Sequence, residues 1–174
     1  MEAWGARLYG DPCGGCGFGW SLTPWDAIRI VQELPARCHT LLAGHTGYER
    51  HPHLAWTPAA YLSHIADNLR NWAEWLAGAR LSGAADVPGY DPDLLAEARH
   101  YNETAPAAAL WSLERAVDAW ADSVTAALEE RVVLHHARRG IQRAEDVARN
   151  NAHDGHHHVW DIERILRCTS GSGA

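Results

Sequence analysis

Thr23-Pro24, Thr57-Pro58 and Asp91-Pro92 each set a side chain able to cap a helix directly before a proline. Each pair reads as a helix start. The capping oxygen accepts a hydrogen bond from one of the first backbone N–H groups, and proline suits the first helical position because its missing N–H has no partner there. The signals predict helices from Thr23 to about Leu42, from Thr57 to about Ala77, and briefly from Asp91 to about Tyr101. Thr104 is the expected cap of a further long helix, Ala105 to about Glu129, and another runs from about Arg143 to Arg167. In the second long helix Tyr61, Ile65, Leu69, Trp72 and Leu76 recur at helical spacing. Pro35 falls inside the first and predicts a kink or a break. Val132 to Gly140 reads as a turn or a small extended piece. Four long amphipathic helices with little strand signal predict an all-α four-helix bundle, a fold that builds metal sites from side chains on facing helices.

The rest of the chain divides around that bundle. Residues 1–20 are glycine-rich and predict an irregular N-terminal extension lying over its surface. The bundle occupies 21–167, and 168–174 reads as a polar, disordered tail. A length of 174 residues suits one domain with a real core, and 47% hydrophobic with 21% charged residues excludes a disordered chain. A net charge of -7 and a pI near 5.9 give no footprint for nucleic acid. No apolar run is long enough to span a bilayer, and no secretory leader is visible, so a cytoplasmic protein is expected. A monomer or homodimer acting on a small molecule, without nucleic-acid or membrane partners, is the matching expectation.

The chemistry lies in histidine. His153 and His157 stand four residues apart in Ala152-His153-Asp154-Gly155-His156-His157-His158-Val159-Trp160-Asp161-Ile162. On a helix, i and i+4 share a face, so two imidazoles can meet one point. His64, in Tyr61-Leu62-Ser63-His64-Ile65-Ala66-Asp67-Asn68, is a third candidate from a facing helix. Three nitrogen ligands would leave positions open for water or substrate, the pattern of catalytic rather than structural sites. Other pairings within the run exist. His156 lies three residues from His153, and His158 adjoins His157; both point elsewhere if His153 and His157 face inward, because one residue turns the helix by about 100°. Asp161, four residues after His157, can orient that ring, while Asp154 is expected to face solvent or an arginine.

Ser63-His64-Ile65-Ala66-Asp67-Asn68-Leu69-Arg70-Asn71-Trp72 and the block from His153 to Ile162 resemble the corresponding helices of the DinB/YfiT-like superfamily. The opening Asp11-Pro12-Cys13…Cys16-Gly17-Phe18…Trp20 is similar to one actinobacterial branch of it. The resemblance covers essentially the whole chain in element order. It implies a metal-binding four-helix bundle with one ligand from the second helix and two from the fourth: His64, His153 and His157. It also implies proteins similar to thiol S-transferases that use low-molecular-weight thiols, including a mycothiol-dependent isomerase.

Other features carry less. Cys13-Gly14-Gly15-Cys16 offers half of a four-ligand zinc site, and no second CxxC exists in the chain. It is expected to be a loop with incidental thiols, not a metal site required for folding. Among nine tryptophans, Trp72, Trp75, Trp111, Trp120 and Trp160 fall on predicted helices, and most of them are expected in the core. No GxSxG, P-loop, GxGxxG or HExxH motif is present.

Three neutral imidazoles would leave the charge of a divalent ion uncompensated, so a bound thiol would be deprotonated and a bound water acidified. The first expectation is a metal-dependent transferase that activates a small thiol toward an electrophile. The alternatives are a hydrolase using metal-bound hydroxide, with Asp67 or Asp161 as candidate base, and a noncatalytic binding protein. Zinc is the expected ion by ligand type; imidazole also suits nickel, copper and iron.

Overall fold

The structure, a computed structural model, describes residues 4–170. In chain order the elements are α1 (Ala6–Tyr9), α2 (Pro24–Leu42), α3 (Pro58–Ser82), β1 (Asp86–Val87), α4 (Pro92–Ala98), α5 (Pro106–Glu129), β2 (Val133–His136), β3 (Gly140–Arg143) and α6 (Ala144–Ser170). The long helices α2, α3, α5 and α6 form the bundle. α3 packs chiefly on α5, and α2 chiefly on α6. Among the described residues no helix is long and apolar enough to cross a membrane.

The proline-marked starts behave as the sequence predicts. Thr23 accepts from the Asp26 N–H, Thr57 from Ala60 N–H, and Asp91 from the N–H groups of Asp93 and Leu94. α5 is different. Its N-cap is Ala105, which makes no side-chain cap, and Thr104 turns back toward the His100 carbonyl. Pro106 supplies the same fixed first φ there. α3 continues past Ala77 to Ser82, where Gly83 at φ +72 ends it in the left-handed conformation. Pro35 does not end α2. The helix runs through it, with Leu34 and Cys38 buried on either side, so packing outweighs the lost hydrogen bond.

The core is a continuous apolar cluster. Leu62, Ile65 and Leu69 of α3 meet Leu113 and Trp120 of α5, Val31 and Leu34 of α2, and Val159, Ile162 and Ile165 of α6. Trp72 and Trp120 belong to it, Trp75 and Trp160 are half-buried, and Trp111 is 64% exposed. Trp111 sits on the outer stripe of an amphipathic helix, where its i+2 neighbour Leu113 faces in.

Two connections hold a small sheet. β1 pairs in parallel with β2, Asp86 opposite His135 and Val87 opposite His136; β2 pairs antiparallel with β3, from Val133 opposite Arg143 to His136 opposite Gly140. Alternation along β2 buries Leu134 and His136 and exposes Val133 and His135. The short apolar-then-basic piece is therefore a hairpin. It carries His136 and Arg139 to the wall of a cleft that α3 and α6 also line. The last helix runs to Ser170, so 168–170 are helical, and 171–174 lie outside the described residues.

Candidate metal centres

α6 presents two adjacent i,i+4 stripes, and the structure uses both. His153 and His157 form one. Asp154 and His158, one residue further along, form the other, rotated by about 100°. The two stripes meet different partners. Asp154 and His158 face His64 of α3, and the donor atoms of these three lie within 4.8 Å of one another. His153 and His157 face Cys13 and Cys16, whose four donor atoms also lie within 4.8 Å. His64, His153 and His157, expected to share one ion, are thus divided between two clusters.

The His64 cluster lies in a cleft of about 410 Å³. His64 Nε2 is 3.7 Å from Asp154 Oδ2, and His158 Nε2 is 3.6 Å from Asp154 Oδ1. Bonds of about 2.0–2.1 Å to a tetrahedral ion would set such donors about 3.3 Å apart, so a divalent ion fits with small adjustments. His64 Nδ1 is buried and has no hydrogen-bond partner among the described residues. Asp154, expected toward solvent, is instead held in the cleft wall. Asn68 Nδ2 donates to Asp154 Oδ2 at 2.9 Å, and Tyr90 Oη donates to Asn68 Oδ1 at 3.0 Å. On its far side His158 Nδ1 stands 3.3 Å from Asp161 Oδ2, an outer carboxylate that orients the ring.

The charges here reinforce one another. Burial alone would favour neutral groups. For Asp154 the neighbouring His158 and His64 outweigh it and hold the carboxyl well below its usual range. For His158 the carboxylates of Asp154 and Asp161 outweigh it and push the imidazole up to about 9. Aromatic walls close the site: Trp56 lies against His64, and Trp72, Trp75 and Tyr90 line the cleft. Arg139 enters from the hairpin, its guanidinium 5.9 Å from the Trp72 ring centroid.

The second cluster joins the N-terminal segment to α6. Cys13 Sγ is 3.7 Å from His157 Nδ1. Burial pushes the Cys16 thiol up to about 11. For Cys13 burial acts in the same sense, but hydrogen bonds from the backbone at Cys16 and Gly15 and from the Cys16 thiol overcome it and lower the pKa. Burial, then the neighbouring His157, lowers His153 to about 4. The CxxC, expected as a loop with incidental thiols, packs its thiols against α6. Its complement is the HxxxH of α6, more than a hundred residues away, rather than a second CxxC.

Asp67 does not face the cleft. It accepts from Tyr101 Oη at 2.5 Å and from Arg70 Nη1 at 2.7 Å, and Arg99 stands at 3.2 Å. These contacts make it a buried anchor between α3 and the turn after α4. Asp67→Ala would leave the buried Tyr101 hydroxyl without its acceptor, at a cost of about 2 kcal/mol. The expected outcome is a lowered denaturant midpoint with unchanged metal binding at the cleft. Loss of cleft metal in a folded Asp67→Ala protein would overturn the anchor assignment.

No family model matches the chain, and no curated protein does. A search of solved structures returns YfiT from Bacillus subtilis, described as a probable metal-dependent hydrolase with an unusual four-helix bundle topology. The superposition has a TM-score of 0.73 at 18% identity and covers 84% of this chain and 87% of that one. At that identity the likeness speaks for the architecture alone, and the chain shares the four-helix-bundle fold of that protein.

Proposed function

We propose that the protein is a divalent-metal-dependent hydrolase of a small organic substrate, with His64, Asp154 and His158 as ligands. One observation carries the reading: two imidazoles and a carboxylate from facing helices converge within 4.8 Å on a 410 Å³ cleft. That donor set, with positions left open, suits zinc, iron or nickel. An ion held there supplies Lewis acidity toward water and toward a carbonyl or phosphoryl oxygen. The chain's own residues do the rest. Tyr90 and Asn68 fix Asp154 in place, and Asp161 fixes the His158 ring. Trp56, Trp72 and Tyr90 exclude water and accept a flat apolar group, and Arg139 offers a positive charge to an anionic one. The fold neighbour described as a probable metal-dependent hydrolase supports the hydrolytic alternative over thiol transfer.

The test is a screen of metal-reconstituted protein against small aromatic esters, amides and phosphoesters, with and without added thiol. Hydrolysis without thiol is expected, and chelation should abolish it. Most far-UV helicity should survive chelation, because the core is apolar and does not depend on the ion. Turnover that strictly requires a thiol would overturn the hydrolase in favour of a transferase. Metal binding without turnover across the screen would leave a binding protein.

A further inference from the structure

Cys13, Cys16, His153 and His157 have no part in the proposed reaction. We propose that they form a second metal centre, a closed tetrahedral two-sulfur, two-nitrogen site for a zinc-type ion, which fastens the N-terminal segment to α6. The inference is independent of the hydrolase reading, since it uses the other stripe of the helix.

The distances suit it. Zinc bonds of about 2.3 Å to sulfur and 2.0–2.1 Å to nitrogen place neighbouring donors about 3.6 Å apart in a tetrahedron. Cys13 Sγ and His157 Nδ1 stand at 3.7 Å, and all four donor atoms lie within 4.8 Å of one another. His153 Nε2 is buried and lacks a hydrogen-bond partner among the described residues. Such a nitrogen costs stability unless something ligates it.

The loop is shaped to bring the thiols there. Cys13 N–H donates to the Phe18 carbonyl at 2.8 Å, and Gly17 N–H to the Cys13 carbonyl at 2.9 Å, closing a tight turn around the CxxC. Gly17 takes φ +75, a conformation that favours glycine. A side chain at Gly15 would begin 3.0 Å from His157 Cε1, so its absence lets the loop reach the ring. Tyr9, Phe18 and Trp20 surround His153, with ring centroids at 4.5, 5.3 and 4.6 Å. Asp161 Oδ2 lies 4.0 Å from His157 Nε2, the ring nitrogen facing away from Cys13, where ligating histidines commonly have a carboxylate. Four protein ligands close the coordination sphere, which marks a structural role. Its consequence reaches the cleft, because Gly5, Leu8 and Tyr9 of the fastened segment line it.

Cobalt and zinc titrations of the full chain test this. Wild type is expected to bind about two equivalents, one of them at a four-ligand site. Its cobalt form should show thiolate-to-metal charge-transfer absorption and intense tetrahedral visible bands. Cys13→Ser with Cys16→Ser should bind one equivalent and lose those bands. His64→Ala with His158→Ala should also bind one but keep them, which separates this site from the cleft. Thiol labelling of wild type gives a readout that does not depend on a variant folding. With zinc bound, exposed Cys168 should react and Cys13 and Cys16 should be protected; chelation should release both. Cys38, fully buried and pushed up by burial to about 12, should stay silent until unfolding. A wild-type cobalt form without thiolate bands, labelling of Cys13 and Cys16 that ignores zinc, or a Cys13–Cys16 disulfide in the metal-loaded protein would each overturn the proposal.

Discussion

Replacing Asp154 with Ala is expected to reduce metal-dependent hydrolysis by about 10²–10⁴-fold, because Lewis-acid stabilisation of a transition state is worth several kcal/mol and each 1.36 kcal/mol is tenfold. Three effects add in this variant. It removes the carboxylate that sits between the His64 and His158 rings. It leaves Asn68 Nδ2 without its acceptor. It also takes from His158 the carboxylate 3.6 Å from Nε2, leaving the ring held by Asp161 alone. Titration should show one fewer equivalent of metal, while the thiolate bands of a cobalt form remain. Asp154 is half-buried on the middle of a long helix, and alanine is a good helix former, so the variant should fold. Hydrolysis within a few fold of wild type would remove Asp154 from the site and with it the proposed ligand set. The prediction also distinguishes this set from the one implied by family resemblance alone, which has no role for Asp154.

The contrast between the two ligand sets shows what the sequence made legible. Helix starts were legible because Thr23-Pro24, Thr57-Pro58 and Asp91-Pro92 are local chemistry, and the structure forms each cap. That His64 and the run from His153 are candidate metal ligands was legible from residue type. His153 and His157 were expected to face His64; the structure sets them beside Cys13 and Cys16 instead, and the signal for that rotation of α6 is present in the sequence. Ala148, Ala152, Gly155, Val159, Ile162 and Leu166 form one apolar stripe, and all are buried. Taking 100° per residue, His153 and His157 fall about 160° from Gly155, on the side away from the core. Asp154 and His158 fall at about 60–100°, on the flank toward α3. Gly155 confirms the inward direction, since a side chain there would begin 2.4 Å from Leu34 Cδ1. Spacing alone treats the stripes as equivalent; spacing against the apolar face does not. What no local pattern could supply is the return of residues 13–16 onto α6, a contact across 144 positions. The β1–β2 pairing was equally hidden, because strands of two and four residues carry too little alternation to register.

Trp120→Ala is expected to destabilise the fold by about 3–5 kcal/mol, the usual cost of emptying a large aromatic site in a core. Trp120 is fully buried where α5 meets the other helices, and its Nε1 donates to Asn151 Oδ1 at 2.8 Å. Alanine would remove the ring, open a cavity and leave the buried Asn151 amide oxygen without its donor, and these losses act together. Trp120→Phe should cost less, since it keeps most of the packing and forfeits chiefly the hydrogen bond. The position also matters for the site. Asn151 lies two residues before His153 and three before Asp154, so the Trp120 contact sets the height of α6 at the point where both clusters begin. Under conditions where Trp120→Ala remains folded, metal affinity should fall at both clusters rather than at one, because the shared helix has lost its anchor. Denaturant unfolding gives the first number and zinc titration of the two variants gives the second. A Trp120→Ala protein as stable as wild type would contradict the packing described for α5, and weakened binding at a single cluster would show that the two stripes of α6 are positioned separately.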